Sequence, residues 1–186
     1  MKATLRRTFG LALLAIVGLS ACTDDAETTY AKGIKAFLRI DNLTGAPLLR
    51  AALQSPGMFC TITTKGVLHT VTAPDGRTNQ LTLTAVEQSY GRTESICGFI
   101  VGTPSVPDRN GLQLPVAFDL ACPNCFAEDL VSKPLAFLPH TPVVVGCGRC
   151  GRNYDLENLG SPVGIKGRPL YRYHVAGDAD RLVIQN

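Results

Sequence analysis

Four of the seven cysteines are paired by spacing, as Cys122-Pro-Asn-Cys125 and Cys147-Gly-Arg-Cys150. Two cysteines with two residues between them put two sulfurs on one tight loop. Two such loops brought together offer four thiolates. Zinc takes four thiolates tetrahedrally, and iron or an iron–sulfur cluster accepts the same ligands. The interval, residues 126–146, slightly exceeds the usual ~15–20 residues between paired zinc cysteines. Pro123 stiffens the first loop, and Gly146, Gly148 and Gly151 suit the second to wrapping an ion. Two disulfides, or four packed thiols, are the other reading of the same residues. No Ser-His-Asp grouping, phosphate-binding glycine loop or paired-carboxylate site accompanies them, so catalysis by this chain alone is not expected.

The remaining cysteines divide by position. Cys60 and Cys97 form an even pair, for which a disulfide between strands is the economical expectation and two buried thiols the alternative. Cys22 closes a different kind of segment. Lys2, Arg6 and Arg7 precede the apolar run Phe9–Leu19, too short to span a bilayer comfortably and flanked as a signal peptide is. It ends in Leu19-Ser20-Ala21-Cys22, which resembles the bacterial lipobox. That resemblance implies cleavage before Cys22 and its conversion to a diacylglyceryl-modified N-terminus. Acyl chains anchor a domain at about 0.8 kcal/mol per buried methylene, with no transmembrane helix required. Thr23-Asp24-Asp25 is similar to an acidic tag for surface display, and Arg6-Arg7 partly resembles a twin-arginine signal.

The leader's three basic residues account for the formal charge of +3, so residues 22–186 balance 15 acidic residues with as many basic ones. No basic stripe remains, and nucleic acid is excluded as a partner. Residues 22–35 read as a polar tether and 36–186 as one domain. Short apolar runs broken by turn residues fill that domain. Ala36–Ile40, Met58–Thr64, Val67–Val71, Leu81–Val86, Ile96–Val101, Val116–Ala121, Val143–Val145, Leu170–Val175 and Leu182–Gln185 are predicted strands. Pro47–Gln54 is the one predicted helix start, too short to organise the fold. Strands of this kind argue an all-β sandwich or small barrel.

From Val116 to Asn186 the chain resembles a Rieske domain. The family's second metal loop runs Cys-x-x-His-Gly, then an aromatic, a glycine, a Gly-Pro-type turn and a leucine. Here the run is Cys147-Gly-Arg-Cys150-Gly151, Tyr154, Gly160, Gly167-Arg-Pro169-Leu170, then Tyr171-Arg-Tyr173 and Leu182-Val-Ile184. Phe118-Asp-Leu-Ala-Cys122-Pro123 matches the strand leading into the first loop. The mature chain is similar to Rieske-like lipoproteins of the Bacteroidetes with paired cysteines in both loops. The resemblance implies a Rieske-like sandwich or barrel with a small metal-loop subdomain at about residues 118–170.

Two departures change the expected chemistry. Cys125 stands one residue beyond the family's first histidine position, and Cys150 replaces the second. A Rieske cluster needs two imidazoles on one iron. His69 and His174 fall in predicted strands, and His140 in the interval between the pairs. The ligand set is therefore Cys122, Cys125, Cys147 and Cys150. Zinc is favoured on ligand chemistry, as a structural metal in a lipid-anchored envelope protein with an unidentified protein partner. An all-cysteine [2Fe–2S] electron carrier of low potential is the alternative drawn from the resemblance. A dithiol redox protein ranks last, because no helix-like sequence follows Cys125 to depress a thiol pKa. The expected location is the outer membrane, on its periplasmic or surface side.

Overall fold

A computed structural model describes residues 30–31, 33–108, 110–178 and 180–186. The leader at residues 1–21, the lipidation site Cys22 and the tether up to residue 29 lie outside the described residues. The later part of the expected tether packs on the fold. Ala31 N donates to Arg172 O at 2.9 Å, and Ala31 and Ile34 lie against the core.

Among the described residues, twelve strands form two antiparallel sheets. They are β1 (Phe37–Ile40), β2 (Met58–Lys65), β3 (Leu68–Thr72), β4 (Thr78–Thr82), β5 (Phe99–Thr103) and β6 (Val116–Asp119). These are followed by β7 (Ala136–Leu138), β8 (Thr141–Gly146), β9 (Asn153–Asp155), β10 (Ser161–Val163), β11 (Arg172–Gly177) and β12 (Leu182–Gln185). The large sheet has the order β1-β12-β11-β6-β5-β2-β3-β4, and the small one β10-β9-β8-β7. The all-β class holds, with a correction to its form. The large sheet curls but does not close into a barrel, and β1 and β4 remain its edges.

The middle of the large sheet is a wall shared by two cores. Successive side chains of a strand point to opposite faces, and β5 and β6 are buried along their whole length. Cys60, Ile62, Phe99, Val101 and Ala117 face one core. Phe59, Ile100, Val116 and Phe118 face the other. Both registers fit this division: Cys60 pairs with Val101, and Ile100 with Phe118. Phe59 lies opposite Gly102, where an added Cβ would meet Met58 O and Phe59 Cδ1, each at 2.3 Å. A side chain at residue 102 would displace the Phe59 ring.

Helix α1 (Pro47–Gln54) covers the first core, burying Leu49 and Ala52 and packing on β2 and β5. Pro47 sits in its first turn, where a missing N–H costs nothing. Asn79 of β4 accepts from Leu48 N at 3.1 Å. This short helix does more than its length suggests.

Several predicted strands change at their ends. Leu81–Val86 splits: β4 stops at Thr82, and Thr84 starts helix α2 (Ala85–Ser89) with a reciprocal Thr84–Glu87 capping box. Ile96 precedes β5 because its N–H goes to a carboxylate of β6, not to a strand. The small sheet contains three strands that the pattern of apolar runs missed. They pair only with one another and β8, and β10 carries Pro162 at an edge. Among the described residues, no helix is long and apolar enough to cross a membrane.

Candidate metal centre

Both cysteine pairs belong to the segment between β6 and β11. β6 runs on through Leu120 and Ala121 to Cys122, the N-cap of helix α3 (Pro123–Asp129). Pro123 occupies the first turn, and Leu130 ends the helix in the left-handed region at φ 55°. The returning chain clamps this loop: Cys122 N donates to Lys133 O, and Leu135 N to Leu120 O, both at 2.8 Å. A helix therefore begins at the first pair and continues past Cys125. This corrects the expectation that no helix would do so, on which the low rank of the dithiol reading partly rested. Cysteine is not a usual capping residue, so the start signal was Pro123 alone.

The second pair occupies the hairpin between β8 and β9. Cys147 N donates to Arg152 O, and Gly151 N to Cys147 O, both at 2.9 Å. Gly151 takes φ +69°, which turns the backbone back toward β9. The two loops meet over the second core. All four Sγ atoms lie within 4.8 Å of one another. The short separations run between loops, 3.6 Å from Cys122 to Cys150 and 3.7 Å from Cys125 to Cys147. Cys122, Cys125 and Cys147 are buried and Cys150 half-buried. Among the described residues this is the single cluster of three or more potential metal ligands, and no histidine belongs to it. The arrangement is compatible with a metal site.

The four thiols are not equivalent. Burial pushes Cys125 up, with the neighbouring sulfurs adding to it. Burial also raises Cys122, against the Cys125 N–H and the Tyr154 hydroxyl. Burial acts on Cys150 in the same sense, but the Arg152 N–H and guanidinium and the sulfurs of Cys122 and Cys147 bring it down to about 7. Cys150 is thus lowered where Cys122 and Cys125 are raised.

A polar shell fixes the loops. Tyr154, fully buried on β9, sets its hydroxyl 3.5 Å from Cys122 Sγ and accepts from Asn124 Nδ2 at 2.7 Å. With one lone pair engaged by Asn124, the hydroxyl proton is free for the sulfur. Asn124 Oδ1 in turn accepts from Arg168 N at 3.1 Å. Arg149 of the second loop pairs with Asp129 of α3 at 2.8 Å, an exposed bridge worth about 0–1 kcal/mol. Beneath the first loop, the buried Asp119 carboxylate receives four donors. Ile96 N and Tyr173 OH reach Oδ2 at 2.8 and 2.9 Å, while Cys97 N and Ala121 N reach Oδ1 at 3.2 and 2.7 Å. Burial raises this carboxyl's pKa, opposed by those donors. Asp119 and Asn124 were missed from sequence, although a lone charge inside Val116–Ala121 was a visible signal.

The other singled-out residues stand elsewhere. Cys60 and Cys97 are free thiols, which corrects the expected disulfide. Cys60 pairs with Val101; Cys97 is four residues further along that strand direction, about 13 Å away at ~3.3 Å per residue. A disulfide needs Cα atoms ~4.4–6.8 Å apart. Cys60 faces the first core and Cys97 packs against the second. Burial pushes Cys60 up to about 12, and burial with the Asp119 charge takes Cys97 to about 11. His69 is buried in β3, its Nδ1 2.8 Å from Thr64 Oγ1. His174 stacks on Tyr30 with ring centroids 3.9 Å apart. His140 is exposed at φ 64°. Tyr171 donates to Pro123 O of the first loop at 3.4 Å. No protein-family model matches the chain, and no curated protein or solved structure matches it.

Proposed function

We propose that Cys122, Cys125, Cys147 and Cys150 hold one zinc ion as a structural staple in a Rieske-like domain of an exported, lipid-anchored envelope protein. The carrying observation is the compactness of the sulfurs. Cross-loop separations of 3.6 and 3.7 Å are close to the ~3.8 Å edge of a tetrahedron with ~2.3 Å metal–sulfur bonds. All four sulfurs lie within 4.8 Å of one another, compact enough for one ion to reach them all. The Rieske-like reading draws support from the small sheet, which lies with both loops in the one segment between β6 and β11.

The chain's own groups suit that role. Four thiolates around a divalent ion leave net negative charge, which the Arg152 guanidinium at Cys150 offsets. The Cys125 and Arg152 N–H groups and the Tyr154 hydroxyl supply donors to the sulfurs. Bound there, zinc is redox-silent and joins two loops that share no strand pairing with each other. Structural zinc sites of this class contribute about 10–16 kcal/mol of apparent binding free energy.

One observation favours a dithiol reading: Cys122 caps a helix whose first turn contains Cys125. Against it, Cys122 is fully buried and its close partner is in the other loop.

The test is anaerobic purification of residues 23–186, with zinc, iron and acid-labile sulfide assayed beside the visible spectrum. One colourless zinc per chain is expected. Two irons and two sulfides with colour would replace the staple with an electron carrier. Absence of metal and of free thiols would mean that disulfides join the loops. The mass of Cys22 in protein taken from membranes tests the anchor separately.

A further inference from the structure

The connection between β5 and β6, described at residues 104–108 and 110–115, braces itself. Asp108 Oδ1 accepts from Asn110 N and Leu112 N, and Asp108 N donates to Leu112 O, each at 2.8 Å. Gln113 Nε2 reaches Ser105 O at 2.8 Å. Glu157 then fixes the loop to the small-sheet unit, accepting from Ser105 N and Oγ at 2.7 Å. A connection held at this many points presents a defined surface, and it exposes three aliphatic side chains. Val106 is 65 % exposed, Leu112 53 % and Leu114 56 %.

Its neighbour is the point at which the chain enters the fold. Leu114 and Pro115 line a cavity of about 400 Å³ together with Tyr30. Residues 23–29 alone separate Tyr30 from Cys22, a span of at most about 28 Å when fully extended. A domain tied to lipid through so short a segment keeps this loop within reach of the same surface. Residues 22–186 carry balanced charge, so electrostatic attraction to anionic headgroups is weak and apolar contact is the available term.

We infer that Val106, Leu112 and Leu114 form a lipid-contacting patch that rests the domain on the membrane to which Cys22 anchors it. The inference rests on the lipid-anchor reading above. The occupant is the interfacial layer of the bilayer carrying the anchor; a second copy or another protein on the patch are outcomes that the test separates.

The chain contains no tryptophan, so Leu112→Trp places one fluorophore on the patch. Val86→Trp serves as the control. Val86 is 60 % exposed on α2, beyond the strand ends opposite to those that lead into residues 104–115. Each full chain is expressed with its leader, purified from membranes and placed in phosphatidylcholine vesicles with or without brominated acyl chains. The Leu112→Trp variant should emit to the blue of the Val86→Trp control. It should lose roughly half its intensity to brominated lipid, an interfacial depth within ~5–10 Å of the headgroup boundary. The control should be little quenched. Flotation with the vesicles, but equal quenching in both variants, overturns the patch and leaves the anchor standing. Blue-shifted emission from Leu112→Trp that bromine does not quench means that protein covers the loop, and also overturns it. Failure to float with Cys22 unmodified in mass overturns the anchor reading and the inference together.

Discussion

Asp119→Asn isolates the polar joint beneath the first metal loop. The carboxylate takes two donors on each oxygen, at distances from 2.7 to 3.2 Å. Asparagine keeps the shape but has one acceptor oxygen, so its NH₂ must face one of the two donor pairs. Facing Ile96 N and Tyr173 OH costs less, because the tyrosine hydroxyl can rotate and accept. One N–H, that of half-buried Ile96, is then orphaned at about 1–3 kcal/mol. The bonds that survive weaken from charge-assisted to neutral, for about 0.5–1 kcal/mol each. Relief of the buried charge, whose burial raises the carboxyl's pKa, offsets part of this. The net loss is about 2 kcal/mol. Asp119→Ala orphans all four donors and should cost about 4 kcal/mol or more. Urea titration of residues 23–186 by circular dichroism reads both. With m near ~2 kcal/mol/M, Asp119→Asn should lower the midpoint by about 1 M at unchanged m. A shift within about 0.5 kcal/mol of zero, or an alanine variant no worse than the asparagine one, would refute the argument that these four bonds hold the joint.

Cys122→Ser and Cys150→Ser should each release metal, while Cys60→Ser keeps it; full retention by either loop variant, read by elemental analysis, rules out the four-sulfur site. Gly102→Ala places a Cβ 2.3 Å from Met58 O and from Phe59 Cδ1, and should cost about 1–3 kcal/mol as overpacking; an unchanged melting temperature would show that Phe59 yields freely. Burial holds His69 below its ordinary 6.5, opposed by Glu87. A depressed folded value means stability that is complete above pH 6.5 and declines as pH falls through the folded value. Thermal melts from about pH 7.5 to about pH 5 should therefore fall more steeply for the native chain than for His69→Gln, and equal slopes would remove His69 from the account.

The four cysteines were legible because their spacing carries the chemistry, and most strands because their apolar runs stop at turn residues. What stayed hidden depended on partners distant in sequence. The Cys60–Cys97 disulfide was a matter of parity, whereas the register of β2 against β5 settles the separation. The Tyr154–Asn124–Cys122 contacts join residues brought together only when the small sheet folds. Two misses were readable in principle. Thr84-Ala-Val-Glu87 is a capping box, overlooked because Val86 prolongs an apolar run. Pro123 marks a helix start, but a cysteine N-cap gives it no usual companion.

The chain leaves the large sheet at Asp119 and returns at Tyr171, and these two residues are bonded to each other, Asp119 N to Tyr171 O at 2.8 Å. In terms of chain path, everything between them is a single excursion from one hairpin, and a short turn could close the gap. As a piece of chain the metal-loop unit is detachable, the kind of segment that recombination can move between scaffolds. As a piece of solid it is not, because its removal would uncover Phe59, Ile100, Val116 and Phe118 on the shared wall. A transplant of residues 120–170 would therefore have to carry that face of its host sheet along with it.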